Sequence, residues 1–382
     1  MTAGTPAFDL ALPGRIAFGP GRVSLLPTVV AELGSRVLVV TGSNPARVEH
    51  VTATLRADAV AVASCPGEPT VDDARRATAA GRALGADVVV AVGGGSAIDL
   101  AKATAMLLAN GGDPLDYLEV VGRGAAIGTD PVPLVAVPTT AGTGAEATAN
   151  AVLAAPEHGV KVSLRHPRMV PVHAIVDPVL TLGCPPAVTA ASGMDALTQC
   201  LEPYVSNRAN PLTDGWARTG LLAAGRSLRR AHADGADLAA RTDLALCSLL
   251  GGLALANAKL GAVHGFAGVL GGRSGAAHGA ICAALLAPAC RANLARADEP
   301  LRERFREVAT WLTGDAAASP EDGIAWIEQL VADLGLPGLA GLGLGGDDVD
   351  VVVAGAARAS SMQGNPVQLS EEELARLYLA AL

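Results

Sequence analysis

The sequence predicts an α/β domain built on a doubly wound parallel sheet, followed by an all-helical domain. At 382 residues the chain is too long for one core and indicates two domains. Its first half alternates short apolar runs with helical patterns, the sign of a mostly parallel sheet. After about residue 180, segments rich in Ala, Leu and Gly recur at helical spacing without a convincing strand. We therefore expect an α/β domain over 1–180 and a helical domain over 181–382.

Short apolar runs mark the strands of the first domain. We predict strands at 36–41, 86–92, 134–137 and 170–176. The first of them ends in Gly-Ser-Asn-Pro, a turn signal. Helices are predicted at 71–84, where Asp72 and Asp73 suit the positive end of the helix dipole, and at about 97–109.

The second half of the chain predicts nine helices. They are expected at roughly 187–205, 211–232, 237–257, 262–272, 277–294, 300–312, 321–334, 347–359 and 371–381. The longest apolar stretch, 244–270, contains Asn257, Lys259 and His264 and several glycines. It is therefore expected in a buried core and not in a membrane.

Composition excludes several classes of protein. The net charge of −9 and the lack of a Lys/Arg block argue against a nucleic-acid surface. The first residues, Met1–Phe8, lack the basic start and apolar core of a secretory signal, so we expect a cytoplasmic protein without a membrane partner. The six cysteines form no CxxC pair and are expected to be buried, reduced thiols.

The run Gly93-Gly94-Gly95-Ser96 lies between a predicted strand and a predicted helix. Three glycines let a backbone approach a pyrophosphate closely, and the helix N-terminus adds free N–H groups and positive potential. The run is neither GxGxxG nor a Walker motif, and a plain tight turn is the alternative.

A second loop, Pro138–Glu146, follows the next strand and is crowded with glycines and small hydroxyls. Thr139, Thr140 and Thr143 could hydrogen-bond the phosphates and the nicotinamide end of a dinucleotide. A threonine-rich turn would not explain why both loops fall at strand ends. Two such loops form a crevice of the kind in which open α/β sheets bind ligands, so a Rossmann-like dinucleotide domain is predicted.

Several strings together resemble the iron-containing (group III) alcohol dehydrogenase family of the dehydroquinate synthase-like superfamily. They are 93–102, 138–146, Lys161, 177–178, 192–198, 202–206, His264 and 277–279. The resemblance implies hydride transfer between a nicotinamide dinucleotide and a small alcohol or carbonyl compound. It also implies a homodimer, and it places Asp99 and Lys161 among the cofactor-binding residues.

Members of this family usually carry an Asp that holds the adenosine ribose hydroxyls, near the end of the strand that follows the first helix. Here that strand ends Thr41-Gly42-Ser43-Asn44, with Arg47 nearby. Loss of the carboxylate removes charge repulsion, and donors remain for a 2′-phosphate. We therefore expect NADPH as the cofactor, with NADH as the alternative. The alternative interpretation of this segment is an ordinary turn and helix start with no part in cofactor choice.

The resemblance further implies a metal site and a departure from it. Family members place an Asp and a His four residues apart on one helix, then two histidines fourteen apart. Asp195, His264 and His278 match three of these positions, but Gln199 stands at the second. A position near the substrate that is often His is Gly268 here. Asp195, His264 and His278 could still hold iron or zinc, with Gln199 or water completing the shell.

Four functions follow from these observations. The leading one is a metal-assisted NAD(P)H-dependent dehydrogenase or reductase that uses Asp195, Gln199, His264 and His278. Without metal, these side chains would act as acid/base or orienting groups, and an activated C=C or carbonyl substrate of the maleylacetate reductase type is expected. The third function is a lyase or cyclase of the dehydroquinate synthase type, and the fourth is non-catalytic dinucleotide binding.

Overall fold

The computed structural model describes residues 7–382, which group into two compact units. The α/β unit comprises residues 11–140 and 144–181. The helical unit comprises residues 182–382 together with 7–10 and 141–143. The predicted fold class, a parallel α/β sheet followed by a helical region, is confirmed.

The α/β unit contains all eight strands of the described chain. They are β1 (Arg15–Phe18), β2 (Arg36–Thr41), β3 (Ala59–Ser64), β4 (Val88–Gly93), β5 (Leu134–Pro138), β6 (Asn150–Ala155), β7 (Val160–Arg165) and β8 (His173–Val176). Six strands form one sheet in the order β1-β8-β5-β4-β2-β3, with every pair parallel. The other two, β6 and β7, form an antiparallel hairpin.

Five α-helices accompany these strands. They are α1 (Leu26–Leu33), α2 (Glu49–Thr52), α3 (Val71–Leu84), α4 (Gly95–Asn110) and α5 (Pro114–Tyr117). Short 3-10 helices lie at Arg22–Leu25, Pro45–Val48, Ala145–Ala147, Pro156–His158, Pro167–Met169 and Pro178–Thr181. The start of α3 is a reciprocal cap between Thr70 and Asp73, and the helix ends at Gly85, whose φ of 65° favours glycine.

The sheet order reverses between β2 and β4. From β2 the chain adds β3 on one side, and then it returns to place β4 on the other side of β2. The central strands β2, β4 and β5 are almost entirely buried, as expected for Val-rich strands covered on both faces. Ligands of open α/β sheets bind beyond the carboxyl ends of strands at such a reversal. The sheet therefore directs attention to the loops after β2, β4 and β5.

Nine α-helices build the helical unit, and each predicted helix is confirmed with ends within about two residues. They are α6 (Pro186–Val205), α7 (Pro211–Ala233), α8 (Leu238–Ala258), α9 (Ala262–Ser274), α10 (His278–Ala295), α11 (Glu299–Thr313), α12 (Pro320–Asp333), α13 (Val349–Arg358) and α14 (Glu371–Ala380). Short 3-10 helices lie at Leu339–Leu342 and Ser360–Gly364.

One helix, α8, is long and apolar enough to cross a membrane by length and composition alone. Two thirds of its most apolar window is nevertheless buried inside the protein, as in the core helix of a folded domain. The apolar stretch 244–270 is divided between α8 and α9, which are separated by Lys259 at a positive φ of 63°. Its prediction as core is therefore confirmed.

Candidate dinucleotide and metal sites

The glycine run after β4 forms the start of α4. Gly93 ends the strand, Gly94 occupies the N-cap position, and Gly95 begins the helix. No side chain caps this helix end, and no acidic residue lies in its first turn. The first-turn N–H groups therefore lack intrahelical partners, and their positive potential suits an anion.

Three loops meet at the carboxyl ends of β2, β4 and β5. A Cβ added to Gly93 would lie 3.2 Å from the backbone nitrogen of Gly42, and one added to Gly94 would lie 3.1 Å from Oγ1 of Thr140. The backbone nitrogen of Thr139 donates to the carbonyl of Gly93 over 2.9 Å. The structure thus brings the glycine run, Thr139 and Thr140, and the end of β2 together. Thr143 belongs to the helical unit and is exposed.

The end of β2 is open to solvent. A Cβ added to Gly42 would have no heavy atom within 4 Å. Ser43 and Arg47 are exposed, and Asn44 accepts a hydrogen bond from the backbone nitrogen of Ala46 over 3.1 Å. The space and donors that a 2′-phosphate would need are therefore present at this strand end.

Asp99 and Lys161 take part in contacts around the β6–β7 hairpin. Asp99 accepts a hydrogen bond from the backbone nitrogen of Val152 over 3.0 Å, and Lys161 forms an ion pair with Glu68. Asp99 also lies 3.7 Å from the ammonium group of buried Lys102. Both residues thus have partners within the protein: Asp99 joins α4 to β6, and Lys161 joins β7 to Glu68.

Lys102 belongs to a buried polar group. Its ammonium donates to Oγ1 of Thr148 over 2.8 Å and to the carbonyl of Asn150 over 2.9 Å. Burial lowers the pKa of Lys102 to about 8, although the charges of Asp99 and Glu146 oppose this shift. Burial likewise raises the pKa of Glu146 to about 7. These groups are therefore sensitive to pH near neutrality.

In the helical unit, α6, α9 and α10 bring Asp195, His264 and His278 together. Oδ1 of Asp195 lies 3.4 Å from Nε2 of His264 and 3.8 Å from Nε2 of His278. Asp195 and His264 are buried, whereas His278 is partly exposed. A fourth residue, Cys282, joins this group, and one possible ligand atom from each of the four lies within 4.8 Å of the others.

Glu202 fixes the orientation of His264. One oxygen of its carboxylate lies 2.6 Å from Nδ1 of His264, and the other accepts from the backbone nitrogen of Val263 over 2.7 Å. A carboxylate at Nδ1 holds the proton there and leaves the Nε2 lone pair for a cation. With its proton at Nδ1, His264 would present to a cation the Nε2 atom that faces Asp195.

The buried oxygens of this site fit a cation. Oδ1 of Asp195 and Oε1 of Gln199 are buried without a hydrogen-bond partner among the described residues. Unpaired buried acceptors are costly unless a donor or a cation satisfies them. Asp195 and Gln199 lie four residues apart on α6 and therefore face the same way. At Gly268 on α9, the position that is often His in the family, an added Cβ would have no heavy atom within 4 Å. The glycine therefore leaves open space at this position.

The ionisable side chains of the cluster shift one another's pKa. Burial raises the pKa of Asp195, but the interaction with His264 and the charge of His278 outweigh burial and leave the pKa below its usual value. Burial similarly opposes ionisation of Cys282, yet the two histidines hold the pKa of this thiol below its usual value. The charge of Cys282 is the main cause that raises the pKa of His278 to about 9.

The expectation that all six cysteines are buried, reduced thiols is wrong for Cys184, which is partly exposed, and it gave no sign that Cys282 joins the metal group. Five of the six are buried and all are free thiols, but Cys282 approaches Nε2 of His264 to 3.9 Å. A signal was present in the sequence, because His278 and Cys282 are four residues apart on a predicted helix. Glu202 was part of a family-like string, but its contact with His264 could not be predicted from spacing.

Comparison with known proteins covers nearly the whole chain. The model of the iron-containing alcohol dehydrogenase family matches residues 13–178, and the model of the family's C-terminal domain matches residues 189–382. The chain is 35% identical to long-chain-alcohol dehydrogenase 1 of Geobacillus thermodenitrificans, over 96% of each sequence.

Solved structures agree with this assignment. The crystal structure of a 1,3-propanediol oxidoreductase is 33% identical, with a TM-score of 0.91 over 99% of this chain and 100% of that one. Sulfoacetaldehyde reductase from Bifidobacterium kashiwanohense, solved in complex with NAD+, is 28% identical, with a TM-score of 0.89 over 98% of this chain and 99% of that one. The chain therefore belongs to the iron-containing alcohol dehydrogenase family and is an oxidoreductase.

Proposed function

We propose that this oxidoreductase transfers a hydride between NADPH and a small carbonyl or alcohol substrate with the help of a divalent metal. The observation that carries the proposal is that Oδ1 of Asp195 lies 3.4 Å from Nε2 of His264 and 3.8 Å from Nε2 of His278, while a Glu202 oxygen lies at Nδ1 of His264. Iron and zinc both accept carboxylate and imidazole ligands.

The α/β unit supplies the proposed dinucleotide site apart from Thr143, which belongs to the helical unit. The backbone of Gly94, Gly95 and Ser96 would hold the pyrophosphate at the start of α4. The remaining proposed contacts are Gly42, Ser43 and Asn44 at the adenosine end, Thr139, Thr140 and Thr143 towards the nicotinamide, and Asp99 and Lys161 at the hairpin. NADPH is preferred in this proposal because Gly42 leaves room for a 2′-phosphate and brings no repelling charge.

The helical unit supplies the proposed metal site. Asp195, His264 and His278 would hold the cation. When bound, the cation would polarise the substrate oxygen as a Lewis acid. Asp195 would balance the cation's charge from a buried position, and Glu202 would keep the proton of His264 at Nδ1. Gln199 could offer only a neutral amide oxygen, which binds a borderline metal more weakly than an imidazole does.

The names of the relatives support a substrate class for this proposal. They cite long-chain alcohols, 1,3-propanediol and sulfoacetaldehyde, and the last two compounds carry terminal hydroxyls and a terminal aldehyde carbon, respectively. We propose a terminal alcohol or aldehyde for this chain as well. We also propose, from the family resemblance, a cytoplasmic homodimer. Sedimentation analysis of the purified protein would test the dimeric state.

The deciding experiment combines metal analysis with activity. Protein purified without chelator should contain close to one zinc or iron per chain and should oxidise NADPH in the presence of short aldehydes. Removal of the metal should abolish this activity, and its return should restore it. Tightly bound NADPH with neither metal nor aldehyde reduction would contradict the proposal.

The second candidate is a metal-independent reductase of an activated C=C or carbonyl compound. Gln199 and Gly268 favour it, because each stands where the family's resemblance implies an imidazole. Activity on conjugated acids that survives complete removal of metal would establish this candidate. Net consumption of NADPH would separate both candidates from a lyase in which the dinucleotide is regenerated in each turnover.

We expect Gly94→Val to abolish dinucleotide binding. The added side chain would start 3.1 Å from Oγ1 of Thr140 and would close the approach to the start of α4. Gly128→Val is the control, because a Cβ at this exposed loop glycine would meet no heavy atom within 4 Å. NADPH fluorescence titration measures both variants, and unchanged binding by Gly94→Val would refute the assignment of this loop.

A further inference from the structure

Cys282 lies within the group of side chains to which the proposed function assigns the metal. Its Sγ is buried and lies 3.9 Å from Nε2 of His264. A tetrahedral zinc with bonds of about 2.0–2.3 Å separates neighbouring ligand atoms by roughly 3.3–3.7 Å. Three separations within this group, 3.4, 3.8 and 3.9 Å, are close to that range, and all four possible ligand atoms lie within 4.8 Å of one another. Cys282 thus lies close enough to the other three side chains to bind the same cation.

The backbone places Cys282 there. His278 and Cys282 are four residues apart at the start of α10 and therefore share one helix face. At Gly279, between them, a Cβ would lie only 1.9 Å from the carbonyl oxygen of Ala191 on α6. This close approach of α6 and α10 directs His278 and Cys282 towards Asp195.

The same spacing on α6 offers a poorer ligand. Gln199 follows Asp195 by four residues, but its only possible ligand atom is a neutral amide oxygen. A thiolate brings a negative charge and a soft donor, both of which zinc-like cations prefer. Among the described residues, Cys282 is the cysteine that joins Asp195, His264 and His278.

We propose that Cys282 binds the cation as a thiolate and completes an Asp–His–His–Cys ligand set, so that the site selects zinc over harder cations. This inference rests on the proposed metal-assisted function. Binding releases the thiol proton to solvent as the sulfur–metal bond forms. Zinc sites can expand from four to five ligands, so four protein ligands still leave access for a substrate.

Cobalt(II) tests this ligand set without reference to activity. Wild-type protein loaded with one equivalent of cobalt should show thiolate-to-cobalt charge-transfer absorption in the near ultraviolet. Cys282→Ser should lose this absorption while it keeps the visible bands of bound cobalt. The control Cys65→Ser removes a buried thiol from the α/β unit and should leave the spectrum unchanged.

Zinc affinity provides the second measurement. Cys282→Ser should weaken zinc binding by at least roughly 10- to 100-fold, the range seen when a group that merely orients a ligand is removed. Gln199→His in the Cys282→Ser background should restore affinity, since it supplies an imidazole on α6, but it should not restore the charge-transfer band. Restoration of the band would show that another thiol produces it and would overturn the proposal.

X-ray absorption of the zinc-loaded wild type keeps the test independent of any variant's folding. We expect one sulfur at about 2.3 Å together with nitrogen and oxygen ligands. A shell of nitrogen and oxygen alone, or a charge-transfer band that persists in Cys282→Ser, would overturn the thiolate. A wild type that binds neither zinc nor cobalt would instead overturn the proposed metal-assisted function, so the two failures are distinguishable.

Discussion

Glu202 and Cys282 act on the two ring nitrogens of one imidazole. The carboxylate of Glu202 lies 2.6 Å from Nδ1 of His264, and the sulfur of Cys282 lies 3.9 Å from Nε2. In the proposed metal site, the first contact would hold the proton at Nδ1, and the second would add a soft donor beside the Nε2 lone pair. Single residues would then determine both whether a cation can bind and which cation is preferred.

Gly42 provides the sharpest single-residue test of cofactor choice. We expect Gly42→Asp to shift preference from NADPH towards NADH by roughly 10-fold or more, about 1.4 kcal/mol, because a carboxylate repels a 2′-phosphate and accepts from a ribose hydroxyl. The new side chain has space, since a Cβ there meets no heavy atom within 4 Å. Titration of the dissociation constants of both dinucleotides provides the measurement.

Gly42→Asn is the matched control, with the same size but no charge. It should change the ratio of the two dissociation constants much less than Gly42→Asp does. Equal shifts in both variants would mean that bulk and not charge is responsible. A wild type that prefers NADH would contradict the proposed choice of NADPH directly.

Glu146 predicts a pH-dependent stability. Burial raises its folded-state pKa from 4.5 to about 7, so the folded protein keeps a proton that the unfolded chain releases between these values. The stability that this group contributes is therefore full below about pH 4.5 and is lost as pH rises through about 7. From about pH 5 to 8, the stability of wild type relative to Glu146→Gln should fall, by roughly 3 kcal/mol at most.

Calorimetric unfolding of both proteins across this pH range measures the effect. Glu157→Gln removes an exposed carboxylate between β6 and β7. Its unfolding gives the background pH dependence of stability, which is subtracted. A difference between wild type and Glu146→Gln that stays constant with pH, or grows as pH rises, would contradict the prediction. Neither substitution replaces Thr148 or Asn150, the hydrogen-bond partners of Lys102.

The candidate metal residues could be predicted from sequence only in part. Asp195, His264 and His278 were identifiable because the chain resembles a family in which these positions hold a metal. Cys282 was missed because a cysteine in an apolar helix is most often inert, and its role depends on how closely α10 approaches α6. Contacts between helices depend on packing, which residue spacing does not specify.

At the scale of elements, strongly periodic segments were predicted and weak edge strands were not. The helix α3 and the strand β2 lie where the pattern placed them. The strand β3 was missed because it is an edge strand whose residues alternate between Ala and Val, with one face exposed. The β6–β7 hairpin, which lies outside the six-stranded sheet, was also missed, although alternate residues of both strands are buried.

Gly279 tests how the packing of elements creates the metal site. We expect Gly279→Ala to destabilise the protein by roughly 1–3 kcal/mol, because the new methyl group would lie 1.9 Å from the carbonyl oxygen of Ala191 and would push α10 from α6. The same shift would separate His278 from Asp195, so zinc affinity should fall as well. Thermal unfolding and zinc titration measure the two effects.

Gly215→Ala is the matched control for this substitution. Gly215 lies within α7, and a Cβ there would meet no heavy atom within 4 Å. It should stabilise the protein by up to about 1 kcal/mol, because alanine favours helices more than glycine does. Gly279→Ala with stability and zinc affinity at wild-type levels would show that the close approach does not build the site.

At the scale of the whole molecule, the glycine run and the metal group lie in different units. The glycine run and the end of β2 lie in the α/β unit, and all four side chains of the metal group lie in the helical unit. All three tryptophans, Trp216, Trp311 and Trp326, also lie in the helical unit. Tryptophan fluorescence therefore reports on one unit, and amide exchange in the strands reports on the other.

This division predicts separate stabilisation by the two ligands. Zinc at 100 times its dissociation constant should stabilise the helical unit by about 2.7 kcal/mol and should raise the unfolding midpoint followed by tryptophan fluorescence. NADPH should slow amide exchange in β2, β4 and the start of α4. Asp195→Ala should remove the zinc effect alone, and Gly94→Val should remove the NADPH effect alone. If zinc instead protected β4 in Asp195→Ala as strongly as in wild type, its binding site would lie outside the helical unit and the proposed assignment of the two sites would be wrong.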